Sequence, residues 1–282
     1  MKPLAQWPLA ARRGLVGVLT DIDDTLTTEG AITADALQAL ADLKAAGLVV
    51  IAITGRPVGW SEPFACTWPV DAIVAENGAV ALINNTSQIG TLCLSRKREQ
   101  LSKLYIQDAR ARSANFARMQ QVAQRVLAEV PGALLAQDSA GRETDIAFDH
   151  SEFTHLPHDK IAQMVAILQS EGMHATVSSI HINGWFGGHD KWVGACWIVQ
   201  SLLGRDLAAE RGLWAYVGDS TNDQRMFEAL PHSIGVANVR RFEAQMACKP
   251  AYIAQNERGA GFAEVVAAVL AARRKGQEVF LA

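Results

Sequence analysis

The chain has 282 residues, of which 49% are hydrophobic and 20% charged, and a formal net charge of −3. This balance describes a globular protein with ample core and argues against a strongly basic nucleic-acid binder or a charge-rich disordered chain. No apolar run approaches the roughly 18–20 residues that span a bilayer. The first eight residues carry no cleavage pattern, and Cys66, Cys93, Cys196 and Cys248 form no close pair. The expectation is a cytoplasmic protein with reduced thiols and no membrane or nucleic-acid partner, its oligomeric state open between monomer and dimer.

Residues 15–20 read as a buried strand, 35–46 as an amphipathic helix closed by Gly47, and 48–54 and 72–75 as two further buried strands. Apolar strands joined by helices predict a parallel, Rossmann-like α/β sheet covered on both faces. The texture then changes. Residues 98–130 form a basic, Gln- and Ala-rich stretch expected to be helical. Residues 143–148 alternate like a half-exposed strand, 158–169 read as an amphipathic helix, and 175–180 and 181–186 as a strand pair. This predicts an α+β domain, an open sheet with helices on one face, inserted at 89–188 into a core made of 1–88 and 189–282. The core pattern resumes with strands at 214–217, 233–236 and 252–253 and helices at 223–230 and 262–274.

Four short stretches carry chemistry. Directly behind the first strand comes Asp21-Ile22-Asp23-Asp24-Thr25. Side chains alternate along extended chain, so Asp21 and Asp23 can enter one space while Ile22 turns back to the core. Two such acids repel unless a cation or a shared proton offsets their charge, an arrangement suited to Mg²⁺-assisted attack by one carboxylate while the other handles protons. The second stretch, Thr54-Gly55-Arg56-Pro57, ends another strand with a hydroxyl and a strand–helix junction whose N–H groups can hold phosphate oxygens. The third is Lys191, at the expected helix start His189-Asp190-Lys191. The fourth, Gly218-Asp219-Ser220-Thr221-Asn222-Asp223, offers acids fit for a hard, oxygen-seeking cation. Singly, each has an ordinary explanation: a turn, a solvated lysine, a capping box from Ser220 to Asp223. Jointly they fall at strand ends and helix starts that a parallel sheet gathers at one edge, where α/β proteins bind ligands.

In this order, Asp21-x-Asp23-x-Thr25, Thr54-Gly55-Arg56, Lys191 and Gly218 to Asp223 resemble the four motifs of the haloacid dehalogenase superfamily. The insertion between the second and third motifs is similar to the type IIB, or Cof-like, branch, as are Glu76-Asn77-Gly78 and Asn256-Glu257-Arg258-Gly259. The resemblance implies a haloacid dehalogenase-type core, a cap formed by the insert, and a Mg²⁺-dependent phosphatase acting on a small phosphomonoester, a sugar or polyol phosphate. It implies Asp21 as the nucleophile that becomes an aspartyl-phosphate and Asp23 as acid and then base. Thr54, Gly55 and Lys191 would bind phosphate. Asp21, Asp219 and the Asp23 carbonyl would hold the metal, with Asp223 and Asn222 in support. Arg56, His181, Asn183 and Trp185 are candidates to touch the leaving group. Asp24 stands where glycine is frequent in that branch and is expected to be a hydrogen-bonded turn residue. The alternatives are a sugar phosphomutase, similar to phosphomannomutases, and a non-catalytic binding member; no motif residue is missing, as the latter would require.

Overall fold

The computed structural model describes residues 1–85 and 101–280. In chain order it begins with β1 (Lys2–Pro3), α1 (Leu9–Arg13), β2 (Gly17–Thr20), β3 (Thr27–Thr28), β4 (Ala31–Ile32), α2 (Ala34–Ala45), β5 (Val49–Ile53), α3 (Val58–Thr67), β6 (Ala72–Ala75) and β7 (Val80–Asn84). There follow β8 (Leu101–Tyr105), α4 (Ala109–Glu129), β9 (Leu134–Leu135), β10 (Ile146–Asp149), α5 (His158–Ser170), β11 (His174–Val177) and β12 (His181–Trp185). The chain closes through α6 (Lys191–Leu203), β13 (Trp214–Gly218), α7 (Gln224–Ala229), β14 (His232–Gly235), β15 (Tyr252–Ile253) and α8 (Arg258–Phe280).

The large sheet has nine strands in the order β1-β15-β14-β13-β2-β5-β6-β7-β8. Pairing is parallel from β1 to β6, and antiparallel for β7 and β8 at the far edge. The central strands are buried apart from Val49 at the start of β5, as uninterrupted Val, Ile and Ala runs require when helices cover both faces. On one face Val18, Val50 and Ala52 pack with Leu40, Leu43, Phe262 and Val265 of α2 and α8. On the other, Leu19, Ile51 and Ile53 meet Ile198, Val199 and Leu202 of α6.

The second sheet, β11-β12-β10-β9, is antiparallel and encloses a core of its own, where Phe148 and Ile182 pack with Met119, Val122 and Val126 of α4 and Met164 and Leu168 of α5. One expectation fails here. The stretch read as helix from residue 98 begins, within the described residues, with strand β8, which belongs to the large sheet although it falls inside the range 89–188. Leu101 and Tyr105, four apart, mimic a helical face, yet they pack on one side of the sheet while Leu104 packs on the other. The boundary expected at 88/89 and the first residues of the basic stretch lie outside the described residues. Among the described residues no helix is long and apolar enough to cross a membrane.

Candidate active site

Strands β13, β2 and β5 are neighbours and parallel, so Asp219, Asp21 and Thr54 leave the sheet side by side at its carboxyl edge. The Asp21 N–H donates to the Val217 carbonyl (2.8 Å), carrying the β2–β13 pairing one step past the strand. Ile22 is fully buried in the apolar core, as the alternation of side chains predicts.

Lys191 opens α6, whose N-terminus is capped by the Asp190 carboxylate accepting from the Val193 N–H (2.8 Å). What brings this helix end to the sheet edge is a backbone-to-backbone contact. A Cβ on Gly194 would lie 2.4 Å from the Gly78 Cα, and one on Gly78, whose φ is +105°, would lie 2.2 Å from the Asp190 carbonyl oxygen. Glycine at both positions therefore lets Lys191 reach across. Its ammonium, 2% exposed, donates to Asp21 Oδ1 (2.6 Å) and Asp223 Oδ1 (2.7 Å). Asp223 also accepts from the Tyr216 hydroxyl (2.5 Å) and, through Oδ2, from the N–H groups of Asp219 and Ser220 (2.9 and 3.1 Å). This is the capping box expected from the sequence, here with a lysine added.

Carboxylate oxygens of Asp21, Asp219 and Asp223 all lie within 4.8 Å of one another. Asp219 Oδ2 accepts from Asn238 Nδ2 (2.9 Å), while its buried Oδ1 has no hydrogen-bond partner among the described residues. Burial pushes the Asp21 carboxyl up to about 8 even with Lys191 alongside, and burial with Asp21 and Asp223 nearby drives Asp219 well above the carboxylate range. For Lys191 burial acts the other way, but the two flanking carboxylates win and raise it. One ammonium thus faces three buried acids. The shortfall of positive charge, the orphaned oxygen and the all-oxygen donor set fit a hard divalent cation such as Mg²⁺.

The Asp23 carboxylate points elsewhere. It receives Arg56 Nε on both oxygens (3.0 and 3.1 Å), and Arg56 continues to Asp138 Oδ2 (3.2 Å) and Glu152 Oε1 (2.7 Å), both on the inserted segment. Burial raises the Asp23 carboxyl, with Arg56 opposing the rise. Glu152 in turn accepts from His181 Nε2 (2.8 Å). Burial would raise Glu152, but His181 and Arg56 hold it down at about 2. Asp149 fixes this loop by accepting from the N–H groups of Ser151, Glu152 and Phe153.

Thr54 is buried, and its hydroxyl accepts from the Arg56 N–H (3.0 Å), shaping the turn. The Gly55 carbonyl is gripped from the insert by Arg142 (3.0 Å) and Asn183 (3.3 Å), both of which also bond Asp145. Glu76 accepts from the N–H groups of Val58, Glu143 and Thr144, tying the same turn to the insert. Asn222 accepts from the Ser220 hydroxyl (3.0 Å), and the Thr221 hydroxyl donates to the Val177 carbonyl of β11. The insert is thus docked over the strand ends.

A cavity of about 440 Å³ lies at this junction, lined among others by Asp23, Arg56, Glu152, Phe153, Asp219 and Arg258. Of the four candidates for leaving-group contact, Arg56 lines it. His181 and Asn183 stand behind it, holding Glu152 and Asp145. Trp185 is a correction: it is 2% exposed, packs in the insert's core between the rings of His174 and His189, and offers the cavity no face. Its position in a buried antiparallel strand explains this, since β12 is buried at every residue. Sequence reasoning missed Glu152, Asp138, Tyr216 and Asn238, and it placed Arg142 and Asp145 only within a stretch, 142–150, expected to face the site. The triplet Asp149-His150-Ser151 was a detectable loop-capping signal for Glu152; nothing local marks the others.

Residues 18–124 match the family model of the haloacid dehalogenase-like hydrolases. No curated protein sequence matches the chain. Among solved structures, a Thermoplasma acidophilum protein is 16% identical with a TM-score of 0.65, covering 91% of this chain and 99% of its own. The sucrose-phosphatase of Synechocystis sp. PCC6803, solved with sucrose and phosphate, is 16% identical with a TM-score of 0.62, covering 91% and 98%. A subclass IIB sugar phosphatase is 13% identical with a TM-score of 0.57, covering 84% and 92%. The family pattern over the first two motifs and the fold over nearly the whole chain are similar to those of haloacid dehalogenase-like hydrolases. Lys191 and the acids of the fourth motif lie beyond the matched segment, and their geometry is the chain's own testimony.

Proposed function

We propose that this hydrolase is a Mg²⁺-dependent phosphatase that cleaves a small sugar or polyol phosphate through an aspartyl-phosphate on Asp21. The observation that carries the proposal is Lys191 bridging Asp21 and Asp223 inside a buried acidic cluster with one orphaned oxygen. Phosphoryl transfer needs little beyond in-line positioning and charge neutralisation on the equatorial oxygens, which such a cluster supplies.

In this scheme an Asp21 oxygen attacks phosphorus and the ester C–O–P bond breaks at the P–O side. Asp23 protonates the departing alkoxide, then takes a proton from the water that attacks the acyl phosphate, releasing inorganic phosphate and restoring Asp21. The upward pull of burial on Asp23 suits the acid step and Arg56 suits the base step. Lys191, the Thr54 hydroxyl and the Gly55 N–H would bind phosphoryl oxygens, the Thr54 N–H being held by the Val74 carbonyl. Asp21, Asp219 and the Asp23 carbonyl would hold Mg²⁺, with Asp223 and Asn222 in support; when bound, the ion adds positive charge beside the phosphoryl group. We read the second sheet with α4 and α5 as the cap, joined to the core after β8.

A phosphatase is favoured over a mutase because two arginines lining the cavity already face carboxylates, Arg56 with Asp23 and Glu152 and Arg241 with Glu257. A second phosphate would have to break such pairs. Phosphate release from a panel of phosphorylated metabolites with Mg²⁺ and with chelator, beside an isomer assay with bisphosphate activator, tests the reading. Metal-dependent release without isomerisation supports it; isomerisation, or release indifferent to chelator, overturns it.

A further inference from the structure

Two charged residues on the core wall of the cavity adopt a backbone conformation that disfavours them. Asp24 and Arg258 both have φ of +54°, in the left-handed region where glycine is relaxed and a long side chain is not. Glu29 also lines the cavity with φ of +52°, but it sits with Gly30 in the tight β3–β4 hairpin, whose turn demands that geometry. Asp24 lies in the hydrogen-bonded turn that follows β2, as the sequence suggested, its N–H donating to the Thr27 hydroxyl (3.2 Å), while Arg258 opens α8 where no hairpin requires its geometry. They are distant in sequence, they face the same cavity, and the Arg258 Nε lies 3.1 Å from Asp24 Oδ1.

The surroundings fix this pair in place. Asn238 donates from Nδ2 to the Asp24 carbonyl (3.0 Å) and accepts at Oδ1 from the Arg258 N–H (2.9 Å), while its Nδ2 also holds Asp219. One side chain therefore ties both strained residues to the acidic cluster. Gly259, next in the chain, is forced by crowding, since a Cβ there would lie 2.0 Å from the Thr33 hydroxyl. Arg258 thus starts α8 at a fixed point. Among the described residues no hydrogen bond from its terminal guanidinium nitrogens is present, and its side chain is 25% exposed. Strain kept at a ligand cavity by residues that a glycine would relieve is a mark of use.

We propose that the Asp24–Arg258 pair is a core-borne specificity determinant that reads vicinal hydroxyls of a polyhydroxy leaving group. The pair offers a carboxylate acceptor next to planar guanidinium donors, complementary to neighbouring hydroxyls that each donate and accept. Its near-neutral sum argues against selecting a charged leaving group. Phe153 on the opposite, cap side is 61% exposed and gives an apolar face for a sugar ring. This inference rests on the phosphatase reading and adds that the core, not only the cap, chooses the substrate.

The test compares Asp24→Gly and Arg258→Asn with the parent protein in the presence of Mg²⁺. Both replacements accept left-handed backbone, so folding is not at risk. Kinetics are measured on p-nitrophenyl phosphate, which has no hydroxyls, and on a set of hexose and polyol phosphates. We expect kcat/KM for the best polyol phosphate to fall about tenfold or more relative to that for p-nitrophenyl phosphate, as loss of a charged hydrogen bond implies, with Tm equal or higher in Asp24→Gly. Equal loss on both substrate types, or no change in the ratio, overturns the proposal and leaves the phosphatase reading intact. A parent protein that hydrolyses p-nitrophenyl phosphate but no polyol phosphate overturns the proposal and the sugar or polyol assignment, leaving the phosphatase chemistry standing. A parent that hydrolyses neither overturns both.

Discussion

Two groups at the active edge each gather three carboxylates about one cation, the second with Arg142 also on Asp138 and His181 also on Glu152, and they are built for different work. Around Lys191 stand Asp21, Asp223 and Asp219; around Arg56 stand Asp23, Asp138 and Glu152. Lysine is a compact charge with three donors and leaves an Asp219 oxygen orphaned, so that cluster still calls for a cation. Arginine spreads five donors in a plane and satisfies acids on two parts of the fold at once. The first group is a vessel for charge that arrives; the second is a completed latch between insert and core.

Breaking the vessel has the largest expected effect. Asp21→Asn removes the nucleophile and should lower phosphate release at least about 10⁴-fold while circular dichroism and Tm report an intact fold. Lys191→Met leaves the buried carboxylates without their ammonium and should destabilise the metal-free protein by about 3–5 kcal/mol in denaturant titrations, with Mg²⁺ restoring part of the loss. Breaking the latch should matter less. Arg56→Lys keeps the charge and loses the fork, and should cost about tenfold in kcat/KM, with small-angle scattering showing a more open particle; an unchanged particle and rate would mean the latch is ornamental.

The smallest effect sharpens the same contrast through pH. In the metal-free protein Asp21 keeps its proton to about 8, whereas in the unfolded chain it releases it near 3.8. The unfolded state therefore binds fewer protons across that window, so stability falls as pH rises from about 4 to 8, at no more than about 1.4 kcal/mol per pH unit for each proton. Saturating Mg²⁺ should flatten this slope, because a bound cation favours the ionised carboxylate. Glu152 works in the opposite sense: held down at about 2, its contribution is present above 4.5 and lost as pH falls through that lower value.

The vessel was legible in sequence and the latch was not, for a physical reason. Asp21, Thr54 and Asp219 each follow an apolar parallel strand, and a parallel sheet aligns its strand ends without further information. Lys191 needed one more cue, its helix start. The latch joins Arg56 to Asp138 and Glu152, whose meeting depends on how the insert docks, and docking is written in long-range contacts such as Thr144 and Glu143 on Glu76. Strand β8 was misread because Leu101 and Tyr105 satisfy helical and extended spacing alike. Trp185 was a candidate because residues 181–185 combine hydrogen-bonding groups with an aromatic face, while tertiary packing put it in the insert's core.

The most direct test is to quench the protein with acid during turnover of a phosphomonoester in Mg²⁺, reduce it with borohydride, and map the product by mass spectrometry. Reduction of an acyl phosphate converts its aspartate to homoserine. The account predicts homoserine at position 21 and nowhere else, absent without substrate; steady phosphate release with Asp21 unmodified, or modification confined to Asp23 or Asp219, would contradict it.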